Sequence, residues 1–179
     1  MQTEDYVALA RREFDGLKRL ADRAIAQVTA EQFFTAPAPH DNSMAVIVKH
    51  VGGNLSSRWT DFLTADGEKP GRDRDAEFTI LPSDSRERLL TAWEEGWTAL
   101  FTALAPLNND DVGRSVKIRG EPLTVLQAIN RQLTHYAYHV GQIVFLAKHL
   151  RGAEWQNLSI PRGQSAQFNR APAKYLERR

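Results

Sequence analysis

Cysteine is absent from the 179-residue chain. That excludes disulfides, thiolate metal ligands and a cysteine nucleophile, so any metal must be held by nitrogen and oxygen. Long apolar runs are missing too. The longest, "AVIV" and "IVFLA", fall far short of the ~20 residues that cross a bilayer, and no membrane association is expected. The opening "MQTEDY" is acidic and polar, unlike a secretory leader, so the expected setting is cytoplasmic. Nor is there an excess of one charge: Lys+Arg 23 stand against Asp+Glu 22. Without a basic block, the footprint of a nucleic-acid binder is lacking. Arg72, Arg74, Arg86 and Arg88 do cluster, but Asp73, Asp75, Asp84 and Glu87 are interleaved with them. That stretch reads as a solvated loop and helix start rather than a phosphate site. No internal repeat or low-complexity segment is present.

What remains is ordinary soluble composition, 42% hydrophobic and 25% charged, in a length that suits one domain with a sizeable core. Four segments carry helical periodicity. In the first, about residues 2–29, Val7, Ala10, Phe14, Leu17, Ala21, Ala24, Ile25 and Val28 recur at steps of three and four. The second follows "APAPHDNS", whose prolines forbid helix and whose Asn42 or Ser43 can cap the next one, and it runs to about Leu63. A polar stretch, "TADGEKPGRDRDAE", reads as a surface loop. The third helix, announced by "PSDS", carries Leu89, Trp93, Trp97, Leu100 and Leu104 and ends at Pro106. The fourth begins after Thr124, a suitable N-cap, and ends at Gly152.

Together these predict an all-α four-helix bundle over residues 1–152, with the long loop between helices two and three able to serve as a crossover connection. "EFTIL" and "SVKIRG" have β-type composition and are expected to pair as a short ribbon. Residues 153–179 contain Trp155, Leu158, Ile160 and Phe168. They read as an ordered C-terminal extension, packed on the bundle or on a dimer partner, rather than as a fifth helix. Trp93 and Trp97 suit either the core or a dimer interface.

The last helix contains "THYAYHVGQIVFLAKHL", which sets His135 and His139 four residues apart. At about 100° per residue they share one face, beside a core stripe of Ile129, Tyr136, Val140, Ile143 and Ala147. A third histidine, His50, lies in mid-helix in "IVKHVGGNL", one turn before Asn54. The paired glycines Gly52 and Gly53 cost roughly 1 kcal/mol each against alanine, so they should permit the close approach of a helix or a bound group. Three imidazoles from facing helices can hold a divalent ion and leave a coordination position open. Hydrogen-bonded core histidines would give the same spacing, and spacing alone leaves both readings open. His40, in the proline-rich loop, reads as solvated, and His149 suits the negative end of the helix dipole. Glu13 and Asp15 can approach such a site but read as exposed. Gln142, one turn past His139, and Asn54 are candidates to orient a ligand or water.

In "VKHVGGNLSSRW", "HYAYHVGQI" and the tail "LSIPRGQSAQFN", the chain resembles the DinB-like superfamily of four-helix metalloproteins over essentially its whole length. The tail resembles a branch distinct from the best-understood enzymes. The resemblance implies a bundle with a non-sequential crossover, often homodimeric. It also implies a divalent metal held by His50, His135 and His139: zinc or nickel first, manganese or iron as alternatives. Better-known relatives activate a low-molecular-weight thiol, as bacillithiol and mycothiol transferases and the thiol-dependent maleylpyruvate isomerase do. Their thiol-recognition residues cannot be identified in this chain, and the tail differs. Three expectations follow. The first is an enzyme, thiol S-transferase-like or hydrolase-like, acting on a small electrophile at an open three-histidine site. The second is a non-catalytic protein in which a closed site, with a fourth ligand from a carboxylate or the tail, braces the bundle or dimer. The third is a bundle without metal. Arg162 and Gln164 of the tail would face an anionic substrate if "IPRGQS" covered the pocket; otherwise the tail is a clamp.

Overall fold

Residues 5–170 are described by the computed structural model. The expected start of the first helix at residues 2–4 and the end of the tail, residues 171–179, lie outside them. Helix α1 (Tyr6–Ile25) begins where the Asp5 carboxylate accepts from the backbone N–H groups of Val7 at 2.8 Å and Ala8 at 3.2 Å. It buries Val7, Ala10, Phe14, Ala21, Ala24 and Ile25. The helix ends sooner than periodicity suggests. Thr29 forms a capping box with Gln32 and starts a separate short helix, α2 (Ala30–Phe34). Arg86 holds this junction by donating to the carbonyls of Val28 at 2.7 Å and Ile25 at 2.8 Å.

Ser43 caps α3 (Met44–Trp59), which stops short of the expected Leu63. Ser85 caps α4 (Arg86–Leu104), and Thr124, in a capping box with Gln127, starts α5 (Val125–Arg151). Gly152, at φ 53°, terminates α5. The ribbon exists with a different partner from the one expected. Strand β1 (Ser115–Ile118) pairs antiparallel with β2 (Glu121–Thr124), across a two-residue turn in which Arg119 and Gly120 have φ of 56° and 79°. Two successive positive φ angles are what a tight hairpin turn with the strands' own twist requires. "EFTIL" instead contributes a 3₁₀ turn, Ala76–Phe78. The tail also departs from expectation, containing a short helix α6 (Ser165–Asn169).

Helix α3 packs mainly on α4 and also on α5, while α1 packs mainly on α5 and also on α4. The pairs α1/α3 and α4/α5 are not among the extensively packed neighbours. The connections that cross the bundle are therefore the ones joining those pairs. The long loop between α3 and α4 joins helices that lie against each other. Phe14, Trp59, Trp97 and Tyr136 form the aromatic centre of the core, with ring centroids 5.6–6.5 Å apart in edge-on and tilted pairs. Trp93 and Trp97 are both fully buried within the single chain, which assigns them to its core. Trp155 and Leu158 of the tail pack against that core, and Gln27 holds the backbone of Gln156 in both directions at 2.8 and 3.1 Å. Among the described residues, no helix is long and apolar enough to cross a membrane.

Close helix approach explains Gly52. A Cβ there would meet the Ala92 carbonyl of α4 at 3.3 Å, and opposite it a Cβ on Gly96 would meet Leu55 Cβ at 2.8 Å and the Gly52 carbonyl at 3.0 Å. Gly96→Ala should therefore lower the unfolding free energy by about 1–3 kcal/mol in a urea titration, despite alanine's better helix propensity. A gain in stability would show that α3 and α4 separate at little cost.

Candidate metal centre

Three ring nitrogens meet where α3 faces α5. His50 and His139 are buried and His135 is half-buried. The His50 Nε2 lies 3.4 Å from His135 Nε2, and the His139 Nε2 lies 3.1 Å from the same atom. Coordination bonds of ~2.0–2.1 Å at tetrahedral angles separate ligand nitrogens by about 3.3–3.4 Å, close to these two separations, and the ligand atoms of all three residues lie within 4.8 Å of one another. The hydrogen bonds behind the rings agree with that. His50 Nδ1 donates to the Glu77 carboxylate at 2.8 Å, which can only accept, so in the neutral ring the proton sits on Nδ1 and Nε2 carries a lone pair. His139 Nδ1 likewise donates to the Gln142 amide oxygen at 2.8 Å. His135 Nε2 therefore faces two lone pairs, and one proton satisfies at most one of them. A cation at that point satisfies all three, and the residues fit a divalent metal. Of the other histidines, His40 and His149 lie in exposed positions outside the cluster, as expected.

Glu77 is the principal residue that sequence reasoning missed. It belongs to the 3₁₀ turn that packs on α3, in a segment whose composition looks like solvated loop. Space for its carboxylate comes from Gly53, where a Cβ would lie 2.9 Å from Glu77 Cδ. Paired glycines thus serve two approaches: Gly52 admits α4, and Gly53 admits the acid behind His50. Arg72 was also misread as solvated. Its side chain is only 5% exposed and grips Glu77 through Nε at 2.7 Å and Nη2 at 2.9 Å. Burial pushes the Glu77 carboxyl upward, but hydrogen bonds from His50 and Arg72 outweigh it and hold the group below its ordinary value.

The loop is moored to the ribbon and to α3. The Asp66 carboxylate accepts from the backbone N–H of Glu68, Arg119 and Gly120 at 2.7–2.8 Å. The Gly67 N–H donates to the Lys117 carbonyl at 2.8 Å, and Ser57 Oγ donates to the Gly67 carbonyl at 2.8 Å. Glu68 is thereby placed among three guanidinium groups, from Arg58 at 2.9 Å, Arg119 at 3.2 Å and Arg72 at 3.3 Å.

Asn54 lies at the bottom of the site. Its amide oxygen accepts from Tyr136 Oη at 3.0 Å, which accepts in turn from Trp59 Nε1 at 3.1 Å. Beside His50 and His135 a cavity of about 190 Å³ opens, lined also by Asn54 and Gln132 and by Arg58 and Arg72. The site is therefore open on that side. No carboxylate joins the three histidines among the described residues. Glu13 and Asp15 stay outside the cluster, as do Arg162 and Gln164 of the tail.

Burial drives the His135 imidazole down to about 3, with the neighbouring His139, His50, Arg58 and Arg72 adding to the shift. Burial likewise lowers His139, against the opposing hydrogen bond to Gln142. At neutral pH both rings are neutral, each with one nitrogen lone pair ready to ligate. On unfolding, His135 returns towards its ordinary 6.5, so the unfolded chain takes up its proton first. Metal-free protein should therefore be most stable above about pH 6.5 and lose stability as pH falls towards 3. Thermal unfolding across that range, beside His135→Phe, should show a shallower decline in the variant. Equal slopes would mean that His135 is not desolvated.

Fold and site together define a helical-bundle protein with a three-histidine cluster at an open cavity. The family model described as "Protein of unknown function (DUF1572)" matches residues 1–164, and the chain belongs to that family. No curated protein matches the chain.

Proposed function

We propose that this chain is a divalent-metal enzyme of the DinB-like superfamily, with His50, His135 and His139 as the protein ligands. The convergence of three Nε2 atoms on one point beside an open cavity is the observation that carries this reading. The family match over residues 1–164 and the helical bundle support the superfamily placement. A divalent ion bound there supplies Lewis acidity that lowers the pKa of a thiol or a water. Glu77 and Gln142 would fix the tautomer and direction of His50 and His139, the role that outer partners commonly play for ligating histidines. Asn54, held by Tyr136, would present a polar group to whatever enters the cavity. Two reaction classes suit an open site of this kind: transfer of a low-molecular-weight thiol to a small electrophile, and hydrolysis. Zinc and nickel are the ions favoured for three imidazoles, with manganese and iron as alternatives.

A bracing role for the ion is less well supported, because it calls for a fourth protein ligand, and Glu77 is engaged behind His50 instead. The discriminating experiment supplies zinc- or nickel-loaded protein with a thiol and an activated halide, and separately with an activated ester. Turnover in one arm, lost on chelation and in His135→Ala, is the expected result. An ion retained at about one per chain, with no turnover in either arm and a large fall in melting temperature on chelation, would establish the brace instead.

A further inference from the structure

The cavity beside the histidines is unusually cationic. Arg58, Arg72, Arg74, Arg119 and Arg131 all line it. Against these stand Glu68, shared by Arg58, Arg72 and Arg119, Glu77 on Arg72, and an exposed Asp75 on Arg74 at 3.5 Å. Arg131 has no carboxylate partner among the described residues and lies on α5 one turn before His135, on the same face of the helix. Like charges gathered this way repel unless an anion enters between them, and guanidinium groups match carboxylate and phosphate oxygens in geometry.

Two deeper atoms point the same way. Arg58 is 5% exposed and its Nε–H has no partner, while Gln132 is 3% exposed and its Oε1 has none. Buried polar groups are rarely left unpaired, each such exception costing about 1–3 kcal/mol. Here an unused donor and an unused acceptor belong to side chains that line the same cavity.

We infer that this cavity binds a small oxyanion-bearing molecule, a carboxylate or a phosphate monoester, through Arg131, Arg119 and Arg58, with Gln132 accepting from a hydroxyl or amine of the same molecule. The assignment deepens the proposed function by naming the substrate class, and it rests on the metal centre only for what happens after binding. At about 190 Å³ the space lies below the ~300–1,000 Å³ of pockets for drug-sized ligands, so the ligand is a small metabolite-sized anion. The arginines hold its oxyanion end, which leaves the other end of the molecule towards His50 and His135.

The test is calorimetric titration of inorganic phosphate and of malonate into full-length zinc-loaded protein at 150 mM salt, with zinc content measured on the same samples. At least one probe should bind at one site per chain. Arg131→Ala should weaken that binding at least tenfold, while Arg88→Ala, an exposed arginine at the start of α4, should leave it unchanged. Phosphate alone binding assigns phosphate esters, and malonate alone assigns carboxylates. His139→Ala, whose ring does not line the cavity, supplies a metal-depleted arm in which binding should persist. Zinc missing from wild type would overturn the metal centre without touching this inference. Absence of binding by both probes to folded protein, with or without zinc, would overturn the inference, as would loss of binding in His139→Ala or equal weakening by Arg88→Ala and Arg131→Ala.

Discussion

Glu77→Ala should cost about 3–5 kcal/mol of unfolding free energy and lower metal affinity by roughly 10–100-fold. Both losses come from one carboxylate. Its removal leaves the Arg72 guanidinium, only 5% exposed, dependent on Glu68 at 3.3–3.5 Å, and breaking a buried pair strands a charge that water cannot reach. It also takes away the acceptor that keeps the His50 proton on Nδ1. Since the ordinary carboxyl value is 4.5 and the folded group lies below it, the stability Glu77 contributes is present above about pH 4.5 and lost as pH falls through the folded value. Glu77→Gln keeps an acceptor for His50 without the charge, so it should retain more metal affinity than stability. Urea titration and competition against a chelator measure the two effects. Losses below about 1 kcal/mol and below twofold would show that Glu77 is an incidental neighbour.

His135→Ala should behave in the opposite way. Metal affinity should fall by more than the roughly 10–100-fold carried by an outer partner, because one of three ligands is gone. The stability of the metal-free protein should change by less than about 1 kcal/mol, as at other sites without tight packing or a backbone hydrogen bond. His135 is half-buried, and the hydrogen-bond contacts of its ring are to the other two histidines. Chelator competition together with unfolding of the metal-free forms separates the cases. A histidine serving the core would show the reverse, with stability lost and metal content unaffected.

The three histidines were legible because helical spacing is a local property. Four residues between His135 and His139 set one face, and the apolar stripe beside it turned that face inward. Gln142 and Asn54 followed from the same geometry, one turn from a ligand candidate on each helix. Glu77 and Arg72 could not be read that way. They sit among Gly, Pro and alternating charges, a composition that solvated loops share, and only tertiary contact distinguishes them. The one trace of them in the sequence was Gly53, whose missing side chain makes room for the Glu77 carboxylate. Similar limits explain the fold differences. Periodicity runs on past Ile25 to Val28, while the capping box of Thr29 and Gln32 restarts the helix. "EFTIL" has strand composition, yet "KIRGEP" holds a two-residue turn that pairs β1 with its immediate successor, at lower entropic cost than a distant partner.

Elemental mass spectrometry of tag-free protein, with wild type measured beside His50→Ala and His139→Ala, decides whether the three histidines hold a metal. About one divalent ion per wild-type chain, lost in both variants, is the result expected of a three-histidine centre. Wild-type protein that stays metal-free after incubation with zinc, nickel or manganese would contradict it.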